Sequence, residues 1–329
     1  MAELLPRDAA AWIASGKRVL GVILILLGIF VLFIGCAERS ILYPSQHFDP
    51  PPPVTLPANA RELEVQHDDG RTHAHLYLGQ GIDAERPGPV VLYSHGNGEF
   101  IEDYFPVGLA GYRAMGVSVL LVEFRGTGLS DGSPTKTTID ADHVAFFDLL
   151  AEQPEVDPDR IVLHGRSMGG GIVASLAQQR PGAALVLEST YSSIGDFAAS
   201  MFIPRFIVKD NWDVSATLAT YEQPVFMMHS ERDEIIPFAM AQKNRDARPA
   251  DLPPMTFVTY DVGHNDPMPP QFYEDVEAFF REHGILPLFP EVEAPEALPS
   301  DVEPISPSIG LPVSDPSPWP LLPKPRENP

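Results

Sequence analysis

Residues 160–171 read Arg160-Ile161-Val162-Leu163-His164-Gly165-Arg166-Ser167-Met168-Gly169-Gly170-Gly171. An apolar strand runs into a glycine-flanked serine, and an alanine-containing apolar helix follows it. A sharp strand-to-helix turn strains the backbone at its central residue, so the positions two before and two after it must be small. Gly165 and Gly169 occupy those positions, which makes the segment a candidate nucleophile elbow. Outward from it, short aliphatic runs at 89–93, 117–123, 184–188, 224–229 and 255–260 alternate with helical stretches near 102–115, 138–152, 168–180, 239–248 and 272–283. Continuous apolar strands separated by helices predict an α/β protein, with a mostly parallel central sheet covered by helices on both faces.

Serine is a weak nucleophile at neutral pH and needs a base, which in turn needs an orienting acid. The chain supplies both, each after its own strand. Asp233 lies in Ser230-Glu231-Arg232-Asp233-Glu234 and His264 in Asp261-Val262-Gly263-His264-Asn265, so Ser167, Asp233 and His264 are the candidate triad. Gly263 suits a tight turn that points the His264 ring inward. The acid has competitors: Glu231 and Glu234 are adjacent to it, Asp266 is close to His264, and Asp196 follows another strand. The oxyanion requires two backbone donors. The loop after strand 89–93, Ser94-His95-Gly96-Asn97-Gly98-Glu99, and the residue after the serine assign them to Asn97 and Met168, each worth on the order of 3 kcal/mol in the transition state. His95 reads as structural. The remaining histidines show no H-x-x-x-H or H-E-x-x-H spacing, so neither a metal site nor any cofactor is expected.

These motifs, together with Phe124-Arg125-Gly126-Thr127-Gly128-Leu129-Ser130-Asp131-Gly132 and Gly263-His264-Asn265-Asp266, resemble the α/β-hydrolase-domain proteins that carry one N-terminal membrane anchor. That group includes bacterial serine hydrolases and eukaryotic protein depalmitoylases. The resemblance covers residues 37–285 and implies the α/β-hydrolase fold and an acyl-enzyme mechanism. Glu123-Phe124-Arg125 departs from the Asp-Tyr-Arg more usual in the family, a change expected to affect packing near the site rather than the triad.

Residues 19–36 are apolar without interruption and as a helix would span about 27 Å, near the thickness of a hydrocarbon core. They predict one transmembrane anchor. A signal peptide has a shorter apolar region and no acidic start, whereas Glu3 and Asp8 lie here. Leu32 to Cys36 also resembles a permissive lipobox. Arg7, Lys17 and Arg18 precede the segment and only Arg39 closely follows it, so residues 1–18 are expected in the cytoplasm and the hydrolase domain on the exported side. Residues 37–60, with Pro50 to Pro53, read as a linker, and residues 61–286 as the hydrolase domain. Residues 190–216 read either as a small apolar cap or as ordinary connecting helices. Residues 287–329 hold 13 prolines and read as a disordered tail.

A net charge of −23 with only 22 Lys and Arg in 329 residues excludes a phosphate-backbone binder, so nucleic acid is not an expected partner. The expected activity is hydrolysis of a small or lipid-like acyl ester. Thioester hydrolysis and peptidase activity are alternatives on the same residues. An inactive binding protein is the reading from another class, against which the intact Ser167, Asp233 and His264 argue.

Overall fold

In the computed structural model residues 7–104 and 109–287 are described, with the side chains of residues 7–16, 27, 34 and 36 left outside the described set. The proline-rich tail, from residue 288 onward, also lies outside the described residues.

An eight-stranded sheet has the order β1-β2-β4-β3-β5-β6-β7-β8. Its strands are β1 (Ala60–His67), β2 (Gly70–Tyr77), β3 (Gly88–Ser94), β4 (Ser118–Val122), β5 (Val156–Arg166), β6 (Ala184–Glu188), β7 (Val225–Met228) and β8 (Met255–Val258). β1 and β2 form an antiparallel hairpin that adds to β4, and every pairing from β4 to β8 is parallel. Alternate residues of each buried strand feed two cores. Val90, Leu92, Leu120 and Leu163 point to one face, and Val91, Tyr93, Leu121 and Val162 to the other.

The helices are α1 (Arg7–Leu42), α2 (Ala110–Ala114), α3 (Lys136–Ala151), α4 (Met168–Ala177), α5 (Ile194–Ser200), α6 (Val214–Leu218), α7 (Phe238–Ala247) and α8 (Pro270–Glu282). α3 and α4 seal the first face with Ile139, Phe146 and Ile172, and α8 seals the second with Phe272, Val276 and Phe279. α3 begins at a reciprocal cap, in which the Thr135 hydroxyl accepts from the Thr138 N–H and the Thr138 side chain answers the Thr135 N–H. The single helix expected near 102–115 is instead a one-turn 3-10 helix, Ile101–Tyr104, and then α2.

The start of the expected linker is helical. α1 continues to Leu42, and the chain after it is anchored on the domain through Tyr43, whose hydroxyl donates to Asp210 Oδ2 at 2.8 Å and whose ring meets Trp212 edge-on. Glu38 Oε1 accepts from the N–H groups of Lys209 and Asp210, which fixes the end of α1 to the segment after α5. Among the described residues no helix is long and apolar enough to cross a membrane. The run 19–36 lies within α1, where three of its side chains, at 27, 34 and 36, are outside the described set.

The region 190–216 is helical and half-embedded: Tyr191, Ile194 and Trp212 enter the core, while Phe202 and Phe206 are 95% and 80% exposed.

Candidate active site

The carboxyl ends of parallel strands are where a sheet of this kind places ligands, because the loops there diverge and helix N-termini face the opening. β3, β5, β7 and β8 each deliver a predicted site segment to that edge. Ser167, between β5 and α4, has φ 52° and ψ −117°, a left-handed conformation a non-glycine residue avoids unless its surroundings impose it. The imposition is visible in its partners. Its N–H donates to the Glu188 carbonyl at 2.8 Å, and its own carbonyl accepts from Thr190 Oγ1 at 2.7 Å.

The flanking glycines are required by close approach. A Cβ on Gly165 would fall on the Gly169 carbonyl, and one on Gly169 would fall on the carbonyls of Ser94 and His95. The obstacle is backbone, so it cannot rotate away. Gly169→Ala is expected to destabilise the protein by about 3 kcal/mol, the upper part of the range for overpacking, read as a lower urea midpoint.

The Ser167 hydroxyl lies 3.1 Å from His264 Nε2, and His264 Nδ1 lies 2.7 Å from Asp233 Oδ2. Ser167 is 7% and His264 4% exposed. Asp233 Oδ1 accepts from the N–H groups of Ile235 and Ile236 at 2.9 and 2.7 Å, which leaves Oδ2 for the imidazole. Of the other candidate acids, Glu231 is exposed and the remaining three are engaged elsewhere. Glu234 accepts from the His264 N–H, Asp266 from the Gly263 N–H, and Asp196 from Ser192 and Lys243. The N–H of Gly96 is taken by Glu99 Oε2 at 2.9 Å, whereas no hydrogen bond among the described residues engages the N–H of Asn97 or of Met168.

Arg166 is a participant that motif reading passed over. From the elbow it reaches Glu99 on the loop after β3, Glu188 at the end of β6, the His264 carbonyl at 2.7 Å and Asn265 Oδ1. One guanidinium therefore ties the nucleophile turn to the Asn97 loop and to the histidine loop, a use of its planar fork that lysine could not match. The signal was Glu99, a lone acid closing His-Gly-Asn-Gly. Glu123, the departure from the family pattern, is buried beneath the same loop. Its carboxylate meets His95 Nε2 at 3.2 Å and accepts from the N–H groups of Ile101 and Phe124. His95 stacks on Phe124, with ring centroids 4.0 Å apart, and so serves the scaffold.

The absence of a histidine metal motif in sequence does not extend to three dimensions. His73, His75 and Glu102 each bring one ligand-type atom within 4.8 Å of the other two, and all three are buried. Spacing along the chain misses this group because His73 and His75 are two apart on a strand and Glu102 comes from a separate turn.

Several buried groups carry shifted pKa values. Burial pushes Asp233 up, but the His264 hydrogen bond and the two isoleucine N–H groups outweigh it and hold the carboxyl low. Glu123 and Glu188 are likewise opposed by burial and held low by their histidine neighbours, His95 and His164. Burial also pushes the imidazoles of His75 and His143 down to about 4. In every case the unfolded chain binds the proton more readily than the folded one, so stability falls as pH falls. The thermal midpoint is expected to decline from pH 6.5 downward as the histidines titrate in the unfolded chain, and more steeply below about pH 4 as its carboxylates follow. A midpoint flat between pH 7 and 3 contradicts this.

An eight-stranded, mostly parallel sheet with a serine on the turn after β5, hydrogen-bonded to a histidine after β8 and through it to an aspartate after β7, defines an α/β-hydrolase architecture. The family model described as serine aminopeptidase, S33, matches residues 85–209. The uncharacterized protein Rv2307c of Mycobacterium tuberculosis is 32% identical over 243 residues, covering 72% of this chain and 84% of that one. Protein bem46 of Schizosaccharomyces pombe is 28% identical over 237 residues, covering 68% and 77%. Among solved structures, esterase Est1E of Butyrivibrio proteoclasticus with ferulic acid bound superposes with a TM-score of 0.56 at 18% identity, covering 67% of this chain and 98% of that one. The chain belongs to the α/β-hydrolase family.

Proposed function

We propose that this protein is a serine hydrolase that cleaves carboxylic esters through an acyl-enzyme on Ser167. The observation that carries the reading is the hydrogen-bonded line from Ser167 Oγ through both nitrogens of His264 to Asp233. In that order, His264 Nε2 takes the serine proton as Oγ adds to the acyl carbon, and Asp233 stabilises the imidazolium. The N–H groups of Asn97 and Met168 receive the oxyanion, and the imidazolium then protonates the departing alcohol. Water repeats the sequence on the acyl-enzyme. The solved esterases of the same architecture support an ester as substrate. The test is a panel of matched p-nitrophenyl esters, acyl thioesters and amino-acid amides. Ester turnover should exceed amide turnover at least 100-fold, a barrier difference of about 2.7 kcal/mol. A preference for amides overturns the ester reading.

The proposal also seats residues 19–36 in a bilayer, with the hydrolase domain on the exported side. The support is the exposure of Val19, Leu20, Val22 to Leu26, Ile29, Phe30, Leu32 and Phe33 on one helix. A helix apolar all round needs an apolar medium, because it has no polar face to give to water. Exposed Phe202 and Phe206 lie in the segment that meets the end of α1. Alkaline carbonate should leave the full chain in the membrane pellet and external protease should reach its domain; release into the supernatant overturns the anchor.

A further inference from the structure

His73 and His75 lie two residues apart on β2 and therefore face the same side of the sheet, with ring centroids 5.8 Å apart. Glu102, on the one-turn helix that follows the Asn97 loop, approaches that side, and its Oε1 lies 3.3 Å from His73 Nε2. The other nitrogen of His73, Nδ1, is 2.9 Å from Ser130 Oγ. With an ion on Nε2, the Nδ1–H would donate to Ser130 Oγ and Glu102 would turn from hydrogen-bond acceptor to ligand. That is the arrangement by which an outer hydroxyl fixes the tautomer of a ligating histidine.

The cluster is also incomplete as a hydrogen-bonded network. Glu102 Oε2 and His75 Nδ1 are buried and have no partner. A buried carboxylate oxygen and a buried imidazole nitrogen both left unpaired are costly, and cores rarely carry two such atoms side by side. A bound cation would give such atoms a partner.

We propose that His73, His75 and Glu102 form a binding site for a divalent transition-metal ion, with zinc the best match to two imidazoles and one carboxylate. The second Glu102 oxygen or a water completes four-coordination. Binding forms three metal–ligand bonds and releases to solvent any proton shared between His73 and Glu102. The ion ties β2 to the Ile101–Tyr104 turn. The same turn is already held from β4's end by Glu123, whose carboxylate accepts from the Ile101 N–H and whose own N–H donates to the His73 carbonyl. The role is therefore a clamp on the loop that carries Asn97, and it does not depend on which acyl group Ser167 accepts.

The test uses the full chain, loaded with zinc and then dialysed against metal-free buffer. Elemental analysis should find one zinc per chain, and cobalt in its place should give the visible d–d bands of a four-coordinate site. His75→Ala and Glu102→Gln should each bring the metal content to background. Ser130→Ala should weaken zinc affinity about 10-fold. Chelation should lower the thermal midpoint of the unsubstituted protein by about 5 °C and leave that of the two ligand variants unchanged. A full chain that retains no zinc overturns the proposal without reference to any variant. Zinc content unchanged in folded His75→Ala and Glu102→Gln overturns it as well, since the metal then sits elsewhere.

Discussion

Ser167→Ala is expected to reduce ester turnover about 10⁶-fold and to abolish labelling by a fluorophosphonate probe. The variant removes only the attacking oxygen. The backbone bonds that hold the strained turn, from the Ser167 N–H to Glu188 and from Thr190 to the Ser167 carbonyl, remain. Alanine meets the same constraint at φ 52° as serine does, so the folded state is preserved, and the thermal midpoint should change little. Any residual turnover would come from substrate held against the proposed Asn97 and Met168 donors, worth about 10³ to 10⁴ over water at the outside. Loss of activity with unchanged folding separates a chemical role from a structural one. Retained labelling would remove Ser167 from the mechanism.

The second large effect is expected from Asp233→Asn, about 10⁴-fold in kcat. The size follows from the two oxygens having different partners. Oδ1 accepts from the Ile235 and Ile236 N–H groups, which an amide nitrogen cannot do, so the asparagine oxygen is held there. The amide NH₂ must then occupy the place of Oδ2 and face His264 Nδ1 at about the present 2.7 Å. It can only donate, which forces Nδ1 to accept and moves the imidazole proton to Nε2. That nitrogen then has no lone pair for the Ser167 hydroxyl. Asp233→Ala leaves the tautomer unconstrained and should retain more activity than Asp233→Asn, a ranking that mere loss of negative charge does not produce. A kcat for Asp233→Asn within tenfold of the unsubstituted enzyme would show that another group orients the base.

Much of the sheet was legible because parallel strands buried on both faces are continuous apolar runs, a local property. The strand expected at 184–188 is β6 residue for residue, and 89–93 lies within β3. The β1–β2 hairpin was not legible. β1 is half-exposed and carries Arg61, Glu62 and Glu64, and β2 buries Thr72, His73 and His75 where an apolar pattern is sought. Thr72 and His73 are tolerated there because Asp142, Ser130 and Glu102, distant in sequence, meet them. The boundary of α1 was missed for a related reason: residues 37–42 look like spacer until Lys209 and Asp210 cap Glu38.

What the sequence determined by itself is the nucleophile turn and the chemistry of its neighbours. Gly165 is set by sterics within five residues, Gly169 by the Ser94 and His95 carbonyls of the neighbouring strand end, and a serine in that setting calls for a base and an acid after later strands. Tertiary structure shows which acid meets the imidazole: Asp233, already the candidate by its place after β7, rather than Glu231, Glu234, Asp266 or Asp196. Only the pairing of β7 with β8 brings the Asp233 loop to the imidazole, while Glu234 and Asp266 are absorbed by backbone donors. It also decided the reach of Arg166 and the meeting of His73, His75 and Glu102. The physical reason is the same throughout: side chains far apart in the chain become neighbours through strand order and loop direction, which no spacing in the sequence encodes.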